Sequence, residues 1–406
     1  MSFFRRWFGG GGLSNPDEGA QSSGPDTRVT QSGITVTDES AMKLSAVWSC
    51  ARLISETVGS LPLGVFERTA EGRDAIEKHY LYELLRVSPN DLMTPLEFRE
   101  ALTLQLTLYG NGYALIERLE NGKPYSLTPL RPDCMTPVKE AGTVTYHYQT
   151  TKGEMIFAKE SIFHLKGFSL DGLVGLSVLA YSRNAMGITA SADQFASKAF
   201  SSGGRPSGVL MVDSILRPEQ REQLRKIYEN ITVSDTGLWV LEGGTKYETI
   251  DIPPDDMQML QSRQFQLADI ARFFRVPSFL INDTEKSTSW GSGIEQQNLG
   301  FLTYTLRPYL TRWESTISDA LLSRGDRRKY FVEHSVEGLL RADSAARASF
   351  YSSASQNGWM SRNEIRKKEN LPPVDGGDDL TVQVNLVPVD QLEKIGGNQT
   401  QPDRNM

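Results

Sequence analysis

The chain has 406 residues, 39% of them apolar and 23% charged, which excludes wholesale disorder and leaves room for roughly two or three domains with a sizeable core. Lys and Arg total 43 against 50 Asp and Glu, a formal charge of -7. That balance excludes a protein whose main task is to grip nucleic acid by neutralising phosphates, but not one that lets nucleic acid pass.

Residues 1–33 are rich in Gly, Ser, Pro and Asp and read as a flexible arm. Leu44, Val47, Trp48, Ala51, Ile54 and Val58 then share one face at three- and four-residue spacing, a helix that Gly59, Ser60 and Pro62 end. Leu63 to Arg68 reads as a strand, and Tyr80 to Val87 as a short helix. Thr94, Pro95 and Glu97 have the order of a capping box with proline in the first turn, so a helix runs from there to Tyr109 and stops at Gly110. From Tyr113 to Leu165 the period shortens to strands at 114–118, 126–130, 144–149 and 161–165. Turn signals at Asn121-Gly122, Ala141-Gly142 and Lys152-Gly153 separate them, predicting one small antiparallel sheet unit.

A long helix over 176–202 follows, about 40 Å at 1.5 Å per residue. Its expected stripe is Val178, Ala185, Ile188, Ala192, Phe195 and Ala199, rich in small residues that let another helix approach. Strands at 207–212, 237–241 and 247–252 with a polar helix over 218–230 form a compact unit. A second long helix begins at Pro253-Pro254-Asp255-Asp256, carries Met257, Leu260, Leu267, Ala271 and Phe274, and ends at Val276-Pro277. Residues 282–293 are polar and Gly/Ser-terminated around a single Trp290, an exposed loop. A third helix, 294–323, contains Pro308, which should kink it. Residues 327–336 read as a strand, 342–356 as a helix, and Ser361 caps a last short helix to about Asn370. The tail 387–406 is polar and expected to be disordered.

Chemistry-bearing patterns are sparse. His79, His147, His164 and His334 are scattered, with no HExxH and no Cys/His cluster, so neither a metal nor any other cofactor is expected. The phosphate loop GxxxxGK[ST] is absent, and Gly243-Gly244-Thr245-Lys246 reads as a hairpin turn. Gly175-Leu176-Ser177-Val178-Leu179 lacks the last glycine of a nucleophile elbow, which makes Ser177 a first-turn helix residue. Asp255-Asp256 and Asp378-Asp379 sit beside Pro or Gly, where caps and turns use acids. Cys50 and Cys134 cannot build a disulfide framework, in keeping with a reducing cytoplasm, and no apolar run reaches the roughly 18 residues of a membrane span. No enzyme is expected.

The order of parts resembles the HK97-type portal proteins of tailed double-stranded DNA phages. The resemblance rests on Ser45-Ala46-Val47-Trp48-Ser49-Cys50 with Leu61-Pro62-Leu63, on Gly110-Asn111-Gly112-Tyr113-Ala114, and on Asp269-Ile270-Ala271-Arg272-Phe273-Phe274-Arg275-Val276-Pro277. It continues through Thr305-Leu306-Arg307-Pro308-Tyr309 and Trp359-Met360-Ser361-Arg362-Asn363-Glu364-Ile365-Arg366 to Leu371-Pro372-Pro373 and Gly376-Gly377-Asp378. It implies an α+β fold with portal architecture, in a ring of about twelve subunits at one vertex of the capsid. Residues 34–174 and 294–341 would be the wing, 175–202 and 253–277 the stem helices, 203–252 the clip, 282–293 the tunnel loop and 342–380 the crown.

The resemblance further implies a channel through which double-stranded DNA is packaged and ejected without sequence specificity. Lys286, Ser287, Thr288, Ser289 and Trp290 would face that DNA. Arg217, Arg221, Arg225 and Lys226 would dock the terminase large subunit or a head-completion adaptor, although their alternation with Glu219, Glu222 and Glu229 also suits a solvated helix face. The major capsid protein is a further implied partner, and a membrane is not. The expected location is the virion, and the host cytoplasm during assembly. Two rival readings of the residues are a capsid scaffold component and a cytosolic hydrolase with an undetected acid pair.

Overall fold

A computed structural model describes residue 30 and residues 34–70, 72–201, 208–211, 217–219, 222, 246–249, 256–281, 292–336, 344–369 and 371–381. It divides into two units, one ending at His334 and one beginning at Ser335.

The first unit opens with a short helix α1 (Asp38–Met42), capped by Thr37, and α2 (Ser45–Ser60). Val47, Cys50, Ala51, Ile54 and Val58 of α2 are fully buried. Trp48, expected on that stripe, is 51% exposed, because the apolar arc is centred on Cys50 and turns the indole to its edge. The strand β1 (Leu63–Thr69) pairs antiparallel with β2 (Gly72–Ala75) on one side. After α3 (Tyr80–Tyr82) and a π-helical turn (Glu83–Val87) comes α4 (Pro95–Tyr109). Its start is the expected capping box: Glu97 N–H donates to Thr94 Oγ1 at 3.3 Å, and Thr94 N–H to Glu97 Oε2 at 2.8 Å. Gly110 ends it in the left-handed region, at φ 72°.

The expected single sheet is two. The strands β3 (Asn111–Arg118), β4 (Pro124–Leu130) and β8 (Ile162–Lys166) form one, in the order β4-β3-β8. The strands β5 (Met135–Glu140), β6 (Thr143–Thr150) and β7 (Gly153–Ala158) form the other, in that order. Sequence patterning misses β5 and β7 because both are edge strands. An edge tolerates Pro137, and β7 is exposed along nearly its whole length, so it shows no alternation. Tyr113, Met135, Tyr146 and Ile162 form a core cluster across the two sheets.

The long helix α5 (Val178–Ser201) is about 36 Å long by its 24 residues. Its buried face is Leu179, Ser182 and Met186, whereas Ile188, expected in the buried stripe, is 51% exposed. Thr30, inside the segment expected to be a flexible arm, is buried against Gly187 of α5, where a Cβ would collide with it. The strands β9 (Gly208–Met211) and β10 (Lys246–Thr249) pair antiparallel, matching the expected strands there. The strand expected at 237–241 and most of the polar helix after Arg217 lie outside the described residues. The second long helix, α6 (Asp256–Phe274), packs against α5 and α2.

Next come α7 (Ser292–Gly300), a π-helical segment (Phe301–Leu306) and α8 (Arg307–Leu321). The expected disturbance by Pro308 takes this form. The ladder widens one residue ahead of the proline, Arg307 N–H bonding Leu302 O, which relieves the ring's clash with the preceding turn. Trp313 of α8 is fully buried between Phe98 and Phe163, with ring centroids 6.1 and 5.6 Å away, and its Nε1 donates to Thr103 Oγ1 at 3.0 Å. One indole thereby fixes α8 to both α4 and β8. Residues 327–329, expected in a strand, belong instead to a helical turn α9 (Asp326–Lys329). The strand β11 starts only at Tyr330 and runs Tyr330–His334. It pairs with β1 from Leu63↔His334 to Glu67↔Tyr330, giving the order β11-β1-β2.

The second unit has α10 (Ser344–Gln356) and α11 (Arg362–Lys368), the latter started by the expected cap, a capping box of Ser361 and Glu364. Asn363 ties the following loop down, donating to Val374 O at 3.0 Å and accepting from Val374 N–H at 2.9 Å.

Arg99 is the one strongly buried cation of α4. Its guanidinium donates to Gly59 O at 3.1 and 2.7 Å and to Leu85 O at 3.1 Å, so it satisfies the last carbonyls of α2 and of the π turn. Burial, helped by nearby Arg86, lowers its pKa to about 10, which leaves it protonated at neutral pH. Arg99→Leu should cost about 2–4 kcal/mol by orphaning two buried carbonyls, measured as a lower midpoint in urea with an unchanged m-value.

Candidate functional site

Lys286, Ser287, Thr288, Ser289 and Trp290 lie outside the described residues, as do Arg221, Arg225 and Lys226. Arg217 is described and exposed, immediately ahead of helical Pro218 and Glu219. What the fold does define is the frame that carries these segments: α5, α6, and the places where each joins the sheets.

The start of α5 is set by two backbone passages in direct contact. Gly167 N–H donates to Gly110 O at 2.7 Å, and Leu176 N–H to Phe168 O at 2.7 Å. A Cβ on Gly175 would land on the Gly110 carbonyl, and one on Gly110 would land on the Leu176 carbonyl, so neither position has room for a side chain. Asn111 stitches the same point. Its Nδ2 donates to Gly175 O at 2.8 Å and Tyr109 O at 3.1 Å, and its Oδ1 accepts from Gly175 N–H at 2.7 Å. Ser177 caps α5 rather than sitting in its first turn, accepting from Ala180 N–H at 3.2 Å, and it donates to Leu108 O at 3.2 Å. The serine of the elbow-like string is therefore occupied in structure.

His164 completes this junction. Because Asn111 Oδ1 faces a backbone N–H it is an acceptor, so His164 Nε2, 3.0 Å away, must carry a proton. Its Nδ1 then accepts from Tyr146 Oη at 3.1 Å, and the ring stacks obliquely on Tyr113 at 4.3 Å. Burial, with Lys166 adding a smaller push, holds its pKa well below the usual imidazole value. Tyr146 is pushed up to about 12 by burial, with Asp319 acting the same way, so its hydroxyl keeps the proton it donates.

At the far end of α6, Arg275 adopts φ 58° and Val276 N–H bonds Ala271 O at 3.0 Å, so the chain turns sharply off the helix. Thr305 of the π segment fixes this turn by donating to Arg275 O at 2.6 Å. The end of α6 is thereby held to the π segment that lies beyond α7.

The faces of the two long helices differ. Leu179, Met186, Ile270, Ala271 and Phe274 are buried, while Tyr181, Ile188, Phe265 (63%) and Phe273 are exposed. Arg272 lies over the Phe265 ring at 5.5 Å. Sequence reasoning missed this second apolar face, since each helix was assigned one stripe. Among the described residues, no group of three or more His, Cys, Asp or Glu could hold a metal ion, and no helix is long and apolar enough to cross a membrane.

His164 makes the junction pH-sensitive in one direction. The unfolded imidazole takes up a proton below about pH 6.5 and the native one does not, so stability should fall as pH drops through that value. The slope for this group alone is about 1.4 kcal/mol per pH unit. Urea unfolding of wild type and His164→Gln at pH 7, 6 and 5 checks it: the difference between the two should shrink steadily towards pH 5.

The family model described as phage portal protein matches residues 45–370. The portal protein of Enterobacteria phage HK97 is 40% identical over 393 residues, covering 96% of this chain and 93% of that one. The probable portal protein of Streptomyces phage phiC31 is 30% identical over 88% of this chain and 81% of that one. Among solved structures, a chain in the neck of a native gene transfer agent particle, computed with C12 symmetry, superposes with a TM-score of 0.56. It is 26% identical and covers 81% of this chain and 91% of that one.

Proposed function

Because the chain belongs to the phage portal protein family, we propose that its copies close into a ring of about twelve around an axial hole for duplex DNA. A portal is the channel at a capsid vertex through which the genome is packaged and later ejected, and its place is the virion. The family is structural rather than enzymatic, so the motor that moves DNA belongs to a partner.

The observation that carries the ring is the second apolar face of the helix pair. Tyr181 and Ile188 on α5, seven residues apart, share a side that the described residues leave exposed, and Phe265 and Phe273 stand out from α6. Apolar faces of this kind mark protein contacts. A head-to-tail contact between identical subunits buries them, and closes when the rotation per copy divides a full turn. The C12 neck of the gene transfer agent supports the same symmetry here.

Within the ring, residues 34–174 and 294–341 act as the wing, 175–202 and 253–277 as the stem, and 203–252 as the clip. Residues 282–293 are the tunnel loop, between α6 and α7, and 342–380 the crown. Lys286 and Trp290 touch the DNA, with Ser287, Thr288 and Ser289 between them. The clip face bearing Arg217, Arg221, Arg225 and Lys226 receives the terminase large subunit and afterwards the head-completion adaptor. The wing abuts the major capsid protein, and the rings assemble in the host cytoplasm before entering the virion.

Tyr181→Glu with Ile188→Glu should leave a folded chain that no longer forms rings, seen by negative-stain images and native mass. Rings persisting at wild-type yield would remove the helix pair from the contact. Lys286→Ala with Trp290→Ala should leave rings intact while lowering the DNA-filled fraction of particles by 10-fold or more. Normal filling would end the tunnel-loop assignment.

A further inference from the structure

The outer side of α8, extended by Thr303 of the π segment before it, carries two adjacent ridges at four-residue spacing. Thr303, Arg307, Thr311 and Ser315 form one, and Pro308, Arg312 and Thr316 the other. Between them and Lys166 at the end of β8 lies an open groove of about 560 Å³. Among the described residues no carboxylate lines it. The two acids of α8 are engaged elsewhere: Glu314 accepts from both the backbone N–H and Nδ1 of His334 at 2.9 Å, and Asp319 pairs with Arg327 at 2.9 Å.

Among the described residues the cations of the groove are left without counter-charge. Arg307 and Arg312 make neither hydrogen bond nor ion pair among the described residues. Lys166 meets only a neutral acceptor, Gly172 O, at 2.7 Å. Arg275 adds a further positive charge near Arg312, which is half-buried; burial first, and Arg275 second, lower the Arg312 pKa while Tyr309 opposes them. In a chain with net charge -7, a row of unneutralised guanidinium groups is a local exception. The hydroxyls of Thr303, Thr311, Ser315 and Thr316 supply neutral donors beside those charges.

We propose that this groove binds the phosphodiester backbone of duplex DNA. The inference rests on the reading of the chain as a DNA portal, and adds a contact on the helix beyond the tunnel loop. An elongated row of donors fits a row of anions better than the single carboxylate of a neighbouring protein. From Thr303 to Ser315 the helix advances about 18 Å, long enough to meet more than one successive phosphate of a strand. Guanidinium forks alternating with hydroxyls bind phosphate oxygens without reading bases.

The test uses assembled full-length rings and a fluorescein-labelled 30-base-pair duplex, followed by anisotropy from 50 to 200 mM salt. Arg307→Gln with Arg312→Gln should lower affinity at least 10-fold at 50 mM. It should also flatten the slope of log K against log salt by about 2, one per lost phosphate contact. Unchanged affinity and slope in intact rings would overturn the groove while leaving the portal reading standing. If the double variant assembles poorly, p-benzoylphenylalanine at Ser315 in otherwise wild-type rings decides. Light-driven crosslinking to the duplex supports the site, and crosslinking to a second copy of this chain, or to nothing, overturns it. Failure of the unaltered protein to form rings at all is the separate result that would count against the portal reading itself.

Discussion

The direction in which the long helices leave the sheets depends on one contact, the backbone-to-backbone approach of Gly110 and Gly175. Hydrogen bonds at 2.7 Å hold it, and Asn111 pairs both the N–H and the carbonyl of Gly175 with its single amide. Buried polar groups that are fully paired resist rearrangement, because any shift leaves several of them unsatisfied at once. His164 and Tyr146 extend the same network into the second sheet. The base of α5 is therefore rigid by exclusion of side chains on one side and by complete hydrogen bonding on the other. A ring needs that rigidity, since a small error in the angle at which each copy presents its neighbour contact accumulates around the circle.

The charge of the protein is organised on two scales. Overall it is acidic, which keeps a passing polyanion from adhering along its length. Locally, α8 and the end of β8 set two arginines and a lysine around a groove that, among the described residues, no acid lines. Electrostatic attraction to phosphate falls off within about a Debye length, so such a patch acts only at close approach. The combination suits a surface that meets DNA briefly at a defined place and otherwise leaves it free.

Local signals in the sequence proved legible where the physics is local. The Thr94–Glu97 and Ser361–Glu364 capping boxes, the Gly110 stop and the Ala141-Gly142 turn each depend on residues within a few positions of one another. Family resemblance, resting on strings spread over most of the chain, named the architecture. Features that arise from distant partners were not legible. Trp48 lies at the edge of its helix because the neighbouring α4 covers the Cys50 side. The edge strands β5 and β7 lack alternation, and nothing near Leu63 announces His334 as its partner. Arg307 and Arg312 look like any solvated helix face until the absence of nearby carboxylates becomes visible in three dimensions. The residues proposed for the tunnel loop and most of the cations proposed for the clip fall outside the described residues, so those proposals rest on position within the family pattern.

The β1–β11 ladder has a consequence for how the molecule is made. Arg73 and Glu333, which form an ion pair across that sheet, are 260 residues apart in the chain. At a ribosome's 5–20 residues per second, β1 waits about 15–50 s for its partner strand to be synthesised. During that interval the nascent polypeptide holds an open strand edge beside β2, able to pair with another copy emerging on the same message. Translation speed and chaperone supply thus bear on how many copies reach the native sheet rather than a mispaired one.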